Sequence, residues 1–239
     1  MKIFKADLHI HSCLSPCADL DMSPKAIVEE GLRKGLDLIA ICDHNSAENV
    51  GAGIRAGKNK GLVVIPGIEI CTKEEVHVLA LFEKEEDALS MQNIIYRYLK
   101  GTNRPEIFGD QVIVNEFDEV EGFNMKLLIG ATQLNIYQIE KEVHKRKGLF
   151  ILSHVDRPSY SIISQLGFIP NGIKVDAVEI CGGITKIKGF IENYPIVRSS
   201  DAHFLKDIGK KYTKLLLKEP NFGELVYALE GKEGRAILQ

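Results

Sequence analysis

The sequence predicts an α/β fold built as a closed or nearly closed barrel of strands and helices. Short runs rich in Val, Ile and Leu alternate with helical patterns along the chain, and this order is typical of parallel sheets whose strands are connected by helices. About seven or eight such units occur in 239 residues, which is the size of one barrel domain. No linker or low-complexity stretch divides the sequence, so we expect a single domain over residues 1–239.

The apolar runs are predicted as buried strands because they are short and rich in Val, Ile and Leu. In chain order they cover residues 3–9, 36–42, 62–65, 76–82, 150–153, 177–180, 196–199 and 214–217.

Helices are predicted between most of these strands. The first has signals at both ends, since Ser23 is a capping residue, Pro24 takes the first helical position and Gly35 ends the helix. The other helical patterns cover residues 47–58, 85–100, 137–147, 186–192 and 222–229.

Residues 103–130 interrupt the alternation. They contain two short apolar runs, residues 111–114 and 126–129, separated by an acidic segment that contains Gly. We therefore predict an inserted hairpin or small lobe in this range. Loops of this kind often shape a substrate pocket, and we expect this one to form part of the pocket roof.

The net charge is slightly negative. Thirty Lys and Arg residues stand against 33 Asp and Glu residues, which gives a formal charge of −3. Without a basic surplus to neutralise phosphates, we expect no stable binding of duplex nucleic acid. The apolar fraction of 45% excludes a disordered chain and predicts a packed core.

The sequence also indicates a compartment. The N-terminal residues lack the pattern of a signal peptide, and no apolar run approaches the ~20 residues that cross a bilayer. Five scattered cysteines do not suggest a secreted disulfide framework. We predict a cytoplasmic protein without membrane association, and the sequence leaves its oligomeric state open.

Six of the seven histidines lie in or near the predicted strand ends. In a parallel barrel the active site forms at the carboxyl ends of the strands. The candidate residues are, in chain order, Asp7, His9, His11, Asp43, His44, Glu69, His77, His154, Asp201 and His203. The seventh histidine, His144, lies in a charged helical run and is predicted to face solvent.

The residue types at these strand ends indicate a metal centre. Side chains alternate along an extended segment, so His9 and His11 point to one side, as do Asp201 and His203. Imidazoles with carboxylates suit Zn, Mn or Fe, whereas Ca prefers oxygen ligands. We predict two or three divalent cations, and carboxylates that bridge two of them would hold them ~3.5–4 Å apart. Two cations at this spacing can activate a water molecule. The residues at the strand ends therefore predict metal-assisted hydrolysis.

The motifs Asp7-Leu8-His9-Ile10-His11, Asp43-His44, Glu69, His77, His154 and Asp201-Ala202-His203, in this order, resemble the PHP family, named for polymerase and histidinol phosphatase domains. The resemblance runs from the first strand to His203 and covers most of the chain. It implies a distorted (β/α)7 barrel of the TIM type, up to three divalent metals and phosphoester hydrolysis.

The resemblance also implies which residues bind each metal. The first would be held by His9, His11, Glu69 and Asp201. Glu69 would bridge to a second metal, which would also be held by His77 and His154. The third metal would be held by His44 and His203.

The third site departs from the family pattern. Family members commonly supply an Asp or His shortly after the His-X-His motif, whereas this chain offers Cys17 or Asp19. We favour Asp19, because a hard carboxylate suits a hydrolytic Mn or Fe site. A thiolate at Cys17 would instead favour Zn and make the site sensitive to oxidation.

Three further residues are given roles in catalysis. Arg157, which follows His154 by three residues, could hold the phosphate oxygens because its guanidinium matches phosphate in a bidentate manner. It could equally pair with Asp156. Asp7 and Asp43 lie beside ligand histidines and are predicted to accept hydrogen bonds that orient those imidazoles.

The predicted function is hydrolysis of a small phosphorylated substrate, such as histidinol phosphate, a nucleotide or a sugar phosphate. A hydroxide held between two cations would attack phosphorus. The alternatives are an amidohydrolase-type hydrolase and a non-catalytic metal-binding module. The expected partner is a small-molecule phosphate ester.

Overall fold

The computed structural model describes residues 1–58, 60–183 and 187–238. Its strands are β1 (Lys2–Ile10), β2 (Leu38–Ile41), β3 (Val63–Cys71), β4 (His77–Leu81), β5 (Val112–Val114), β6 (Val120–Phe123), β7 (Leu149–Leu152), β8 (Ala177–Glu179), β9 (Ile196–Val197), β10 (Thr213–Leu217) and β11 (Ala236–Leu238). Within the described residues, nine of them form one sheet in the order β11-β10-β1-β2-β3-β4-β7-β8-β9. The predicted α/β barrel is confirmed as this nearly closed, barrel-like sheet.

The helices are α1 (Pro24–Arg33), α2 (Val50–Gly57), α3 (Glu85–Tyr98), α4 (Pro105–Phe108), α5 (Ile136–Lys145), α6 (Ile162–Leu166), α7 (Lys188–Ile191) and α8 (Phe222–Glu230). Ser23 caps α1 by accepting a hydrogen bond from the Ala26 amide, as the sequence predicts. Of the helix predicted over residues 186–192, residue 186 lies outside the described residues and α7 occupies most of the rest.

The direction of β4 differs from the all-parallel sheet that the alternation predicts. β4 pairs antiparallel with both of its neighbours, β3 and β7. A short connection reverses the chain after Cys71, and Thr72 donates its amide to the Val76 carbonyl. Because β4 runs the other way, its first residue, His77, lies beside Cys71 at the carboxyl end of β3. The inversion therefore brings His77 to the edge where the parallel strands end.

The barrel closes through the segment that follows β9. The amide of His11 donates to the Ala202 carbonyl at 3.0 Å, and Ile10 forms a parallel bridge with Ala202. The first half of β1 pairs instead with β10 in antiparallel orientation. β1 thus has two partners on one side, and only its carboxyl end completes the ring.

Two apolar clusters cover the opposite faces of the sheet. Alternate residues such as Ile39 and Ile41 pack with residues of α1, α2, α3 and α5. Their sequence neighbours Leu38 and Ala40 belong to the second cluster, to which α8 contributes. This division follows from the alternation of side chains along each strand and leaves the carboxyl edge free for polar groups.

Gly67 in β3 lets the side chains of Cys42 and Leu81 lie close to the β3 backbone at the middle of the barrel. A Cβ atom at this position would lie 2.4 Å from the Cys42 sulfur and 2.9 Å from a Leu81 methyl carbon. Only glycine fits between these side chains, so β3 can continue past Pro66 and carry Glu69 to its place.

The insertion over residues 103–130 contains a hairpin, but its second strand was predicted in the wrong place. β5 lies within the predicted run 111–114, whereas its partner β6 lies in the acidic segment that we assigned to the turn. Residues 126–129 form turns and a single bridge from Lys126 to Thr102. The connection between β5 and β6 is shorter than predicted. The Asn115 side chain accepts hydrogen bonds from the amides of Phe117 and Glu119, and these close a tight turn.

The helices of the described residues include none that is both long and apolar enough to span a bilayer.

Candidate metal centre

The strand ends bring a histidine-rich cluster together at one edge of the barrel. We call it the histidine centre, and it consists of His9, His11, His44, Glu69, His77, His154, Asp201 and His203. All of these residues are buried except His203, which is partly exposed. Burial of so many ionisable groups is costly unless they are paired or bind cations.

Glu69 lies at the middle of the histidine centre. Its Oε1 atom lies 3.1 Å from His77 Nδ1 and 3.2 Å from His154 Nε2, and its Oε2 atom lies 3.1 Å from His44 Nδ1. His9 and His11 approach the same carboxylate at 3.4 Å. One carboxylate that reaches five imidazoles has the position of a bridging ligand.

Electrostatics keep Glu69 ionised. Burial raises the pKa of its carboxyl, but electrostatic interactions with the imidazoles of His77, His9 and His44 outweigh burial and hold this pKa well below its usual value.

Asp201 forms the second carboxylate of the centre. Its Oδ1 atom lies 3.2 Å from His11 Nε2 and 3.4 Å from His9 Nε2, and its Oδ2 atom pairs with Arg157 Nη1 at 2.6 Å. The backbone of Asp201 has a φ of 51°, and that of His154 has a φ of 29°. Such left-handed conformations at non-glycine residues cost about 1 kcal/mol or more and cluster at functional sites.

The donor set fits divalent cations. His9 Nε2 and His11 Nε2 lie 3.1 Å apart, and two neutral imidazoles can share that contact only through one proton or a cation. Among the described residues, two buried atoms, Asp201 Oδ1 and His154 Nδ1, form no hydrogen bond of good geometry, although His11 Nε2 lies 3.2 Å from Asp201 Oδ1. Three groups of ligand atoms lie within 4.8 Å of one another: His9, His11 and Asp201; His44, Glu69 and His77; and His11, Cys17, His44 and His203. Imidazoles with carboxylates suit Zn, Mn or Fe.

Cys17, and not Asp19, contributes to these groups. The Asp19 carboxylate is exposed and accepts a hydrogen bond from the Asp21 amide at 2.9 Å. Among the described residues it takes part in no ligand group. The preference for Asp19 that we drew from its hardness therefore does not match its placement. Removal of the Cys17 thiol from water raises its pKa, but hydrogen bonds with His203 and His44 lower it to about 7.

Asp43 orients His11 through an intermediate residue. Its Oδ1 atom accepts hydrogen bonds from the Ser12 amide and the Ser15 hydroxyl, both at 2.7 Å. The Ser15 hydroxyl in turn lies 3.0 Å from His11 Nδ1, so it fixes the ring and leaves Nε2 to face the centre. The predicted contact with a histidine thus exists, but it passes through Ser15.

Within the part of the chain that the structure describes, the Asp7 carboxylate binds backbone amides and no imidazole. Its two carboxylate oxygens accept hydrogen bonds from the amides of Ser200 and Gly209, each at 2.9 Å. Burial raises the pKa of the Asp7 carboxyl to about 6, although those hydrogen bonds lower it in part. Asp7 therefore ties the segment before Asp201 to β1, which corrects the role that its position beside His9 predicts.

Glu179 takes the role that we gave to Asp7. Its Oε2 atom lies 3.0 Å from His9 Nδ1 and accepts the His154 amide at 3.1 Å. Glu179 is fully buried at the end of β8. Glu179 lies near the end of the predicted strand 177–180, and this position is the signal in the sequence that could have identified it.

Arg157 lies on the rim of the cleft that leads to the centre. The cleft has a volume of about 200 Å³ and is also lined by Tyr160, Ile129 and Ser159. Asp156, the alternative partner for Arg157, accepts hydrogen bonds from the amides of Cys181 and Gly182 instead. Tyr160 stacks on His77 with ring centroids 4.6 Å apart.

Comparison with known proteins identifies the family. The model of the PHP domain matches residues 7–158, and that of a PHP-associated region matches residues 192–233. The chain belongs to the PHP family. This match confirms the prediction made from the strand-end motifs. It places the chain in a family of metal-dependent hydrolases.

Two curated relatives of this PHP protein differ in coverage. The uncharacterized protein YqxK of Bacillus subtilis is 26% identical over an alignment that covers 100% of this chain and 65% of that protein. A 5′-3′ exoribonuclease of Haemophilus influenzae is 34% identical over 122 residues, or 48% of this chain and 43% of that protein. The chain thus spans less than two thirds of either relative.

Solved structures of Endonuclease Q share the fold of this PHP protein. The lesion-specific enzyme from Pyrococcus furiosus aligns with a TM-score of 0.71 at 19% identity, over 99% of this chain and 58% of that one. An Endonuclease Q complex with a 27-mer duplex that carries an abasic lesion aligns with a TM-score of 0.73 at 20% identity, over 99% of this chain and 58% of that one.

The duplex complex overturns one prediction. We expected a small-molecule phosphate ester as partner and excluded stable binding of duplex nucleic acid from the net charge. That exclusion is wrong, because the same fold in Endonuclease Q receives a DNA duplex at its active site. Net charge is a whole-chain average, whereas a phosphate group responds to the potential at the site where it binds.

Proposed function

We propose that this PHP protein hydrolyses phosphoester bonds of nucleic acids or nucleotides with the help of divalent cations in the histidine centre. The single observation that carries the proposal is the position of Glu69, whose two oxygens lie within 3.4 Å of five imidazoles. We propose that His9, His11, Glu69 and Asp201 hold one cation, and that Glu69, His77 and His154 hold a second. Bound divalent cations would supply Lewis-acid catalysis and a water of lowered pKa.

The size of the cleft supports a substrate that extends beyond it. Pockets that enclose a whole small ligand usually measure about 300–1,000 Å³, and this cleft measures about 200 Å³. It has room for a phosphate group with the rest of the substrate outside. Endonuclease Q and the Haemophilus influenzae exoribonuclease, both named for action on nucleic acids, support the same substrate class.

The chain's own residues would position the phosphate. Arg157 uses Nη1 to contact Asp201, and a guanidinium has five N–H donors, so donors remain to hold phosphate oxygens. Its side chain is 42% exposed at the rim, which leaves it accessible to a substrate. Glu179 and Ser15 would fix the rings of His9 and His11, so that their Nε2 atoms stay directed at the cations.

A small phosphomonoester is the second candidate substrate, because the cleft admits a phosphate group and the cations would neutralise its two charges.

The five cysteines are unpaired, which fits the cytoplasmic location that we propose.

The test is a hydrolysis assay of purified protein supplied with Zn²⁺ or Mn²⁺. The substrates are 5′-phosphorylated RNA and DNA strands, a duplex with an abasic site, mononucleotides, a generic aryl phosphate, and a panel of amides and lactones. We expect cleavage of nucleic-acid phosphoesters that is lost in the double variant His9→Ala with His11→Ala and kept in His144→Gln. Exclusive turnover of amides or lactones, or full activity in the double variant, would contradict the proposal.

A further inference from the structure

We infer that Cys17, His44 and His203 form a thiolate-containing zinc site at the mouth of the cleft. The inference deepens the proposed function, on which it rests, by assigning the third cation a ligand set and a preferred metal. It depends on where the loop after β1 places its side chains.

The loop brings the thiol to the imidazoles. The Cys17 sulfur and one ring nitrogen each of His11, His44 and His203 lie within 4.8 Å of one another. His11 Nε2 also faces Asp201 and His9, and its Nδ1 contacts Ser15. Since one ring nitrogen binds one cation, His11 serves the first cation and leaves Cys17, His44 and His203 for another.

Backbone contacts hold this loop against the two histidines. The Asp19 amide donates to the His203 carbonyl at 2.9 Å, and the Ala18 amide donates to the Ser15 carbonyl at 2.9 Å. The Ser15 hydroxyl accepts the His44 amide at 3.1 Å. Cys17 therefore lies on a short turn that is fixed to the segments carrying both partner imidazoles.

The ligand set selects the metal. A soft thiolate favours Zn over harder cations such as Mn or Mg, which prefer oxygen ligands. Three protein ligands leave a fourth position for water or substrate, as in catalytic zinc sites. Because Cys17 is exposed, a substrate phosphate could reach that position from the cleft.

The first test measures metal content and spectra of the full chain. In protein reconstituted with Co²⁺, we expect a thiolate-to-cobalt charge-transfer band in the near ultraviolet. Cys17→Ser should abolish the band and lower the zinc content by about one equivalent, whereas Asp19→Asn, a matched change in the same loop, should keep both. No band in the unmodified chain, or loss of zinc in Asp19→Asn alone, would overturn the inference.

A second test uses the unmodified chain, so it does not depend on how a variant folds. Iodoacetamide should label Cys17 faster after chelation and slowly in the presence of Zn²⁺, as read by mass spectrometry. Cys13, Cys42 and Cys71 are buried and serve as internal controls. Equal labelling of Cys17 with and without zinc would contradict a thiolate ligand.

The two proposals fail separately. A cobalt band that depends on Cys17, in a protein that hydrolyses no phosphoester, would support the site and contradict the proposed function. Phosphoester hydrolysis without the band would do the reverse.

Discussion

Two regions of the molecule bring histidine and carboxylate groups together with different results. At the junction of α5 and β8, which we call the His144 junction, one imidazole contacts two carboxylates: Nδ1 lies 2.6 Å from Glu140 and Nε2 lies 2.7 Å from Asp176. In the histidine centre, five imidazoles surround Glu69 and some ring nitrogens face each other. A protonated His144 carries an N–H on each ring nitrogen and so donates to both carboxylates. In the histidine centre, by contrast, the Nε2 atoms of His9 and His11 face each other at 3.1 Å.

The difference shows what distinguishes a binding site from a structural ion pair. The His144 junction has more carboxylates than imidazoles, and its hydrogen bond with Asp176 raises the pKa of His144. In the histidine centre the pKa values of neighbouring imidazoles move in opposite directions. Carboxylates raise the pKa of His9 against the effect of burial, while burial and His203 lower the pKa of His11. Imidazoles outnumber carboxylates in this buried cluster, and such a donor set could hold metal ions.

The largest expected effect follows from removing the bridging carboxylate. Glu69→Gln keeps the shape of the side chain but removes its charge, so both proposed cations lose a ligand. We expect a loss of phosphoester hydrolysis of about 10³-fold or more, since one metal-centred contribution is worth several kcal/mol. Hydrolysis rates with saturating metal check this.

The matched control is Glu224→Gln on α8, where the carboxylate pairs with Arg235 at 2.6 Å and not with the centre. It should leave hydrolysis near normal. Equal losses in both variants would indicate a general folding defect.

Metal removal should lower the thermal stability of the protein through the histidine centre and not through the His144 junction. A cation that binds only the folded chain adds about 4 kcal/mol at 1,000 times its dissociation constant. Chelation should therefore lower the thermal unfolding midpoint by roughly 10 °C, measured by calorimetry. His144→Gln should show the same drop, because its junction needs no metal. An unchanged midpoint after verified metal loss would contradict a cation role in the centre.

Glu179→Gln tests the support of His9. The change keeps the size of the side chain but weakens its contact with His9 Nδ1, which orients the ring. We expect metal affinity to fall about 10–100-fold, measured by competition with a chromophoric chelator. The thermal midpoint at saturating metal should change little. Unaltered affinity would show that β1 alone holds His9 in place.

The smallest effect is expected at the His144 junction. Because the folded pKa of His144 is raised, its contribution to stability is fully present below its ordinary pKa of about 6.5 and is lost as pH rises through the folded value. His144→Gln should therefore destabilise the fold by about 1 kcal/mol near pH 6 and by less near pH 9. Denaturant unfolding at both pH values, with saturating metal, measures this. A constant difference would contradict a protonated His144.

His144 also shows a limit of reading burial from a helical pattern. Its charged neighbours predict a solvated position, yet its side chain is only 19% exposed. Asp176, which it contacts, lies 32 residues further along the chain. A partner so far away in sequence cannot be predicted from the local pattern of residues around His144.

The sequence by itself determined the family, the α/β class and the histidine-rich strand ends. These features depend on spacing along the chain, such as the two-residue period of His9 and His11, and spacing is visible in one dimension. The ends of α1 were also predictable, because a capping Ser and a following Gly act within a few residues.

Only the tertiary structure decided the contacts that give the centre its chemistry. The reversal of β4 brings His77 to the correct edge, Glu179 contacts His9 across 170 residues of sequence, and the β1 loop presents Cys17 in place of Asp19. Hardness favoured Asp19 as a ligand, and the position beside His9 favoured Asp7 as its hydrogen-bond partner, but both carboxylates accept hydrogen bonds from backbone amides. Such choices depend on distances through space, which are fixed only when the barrel closes.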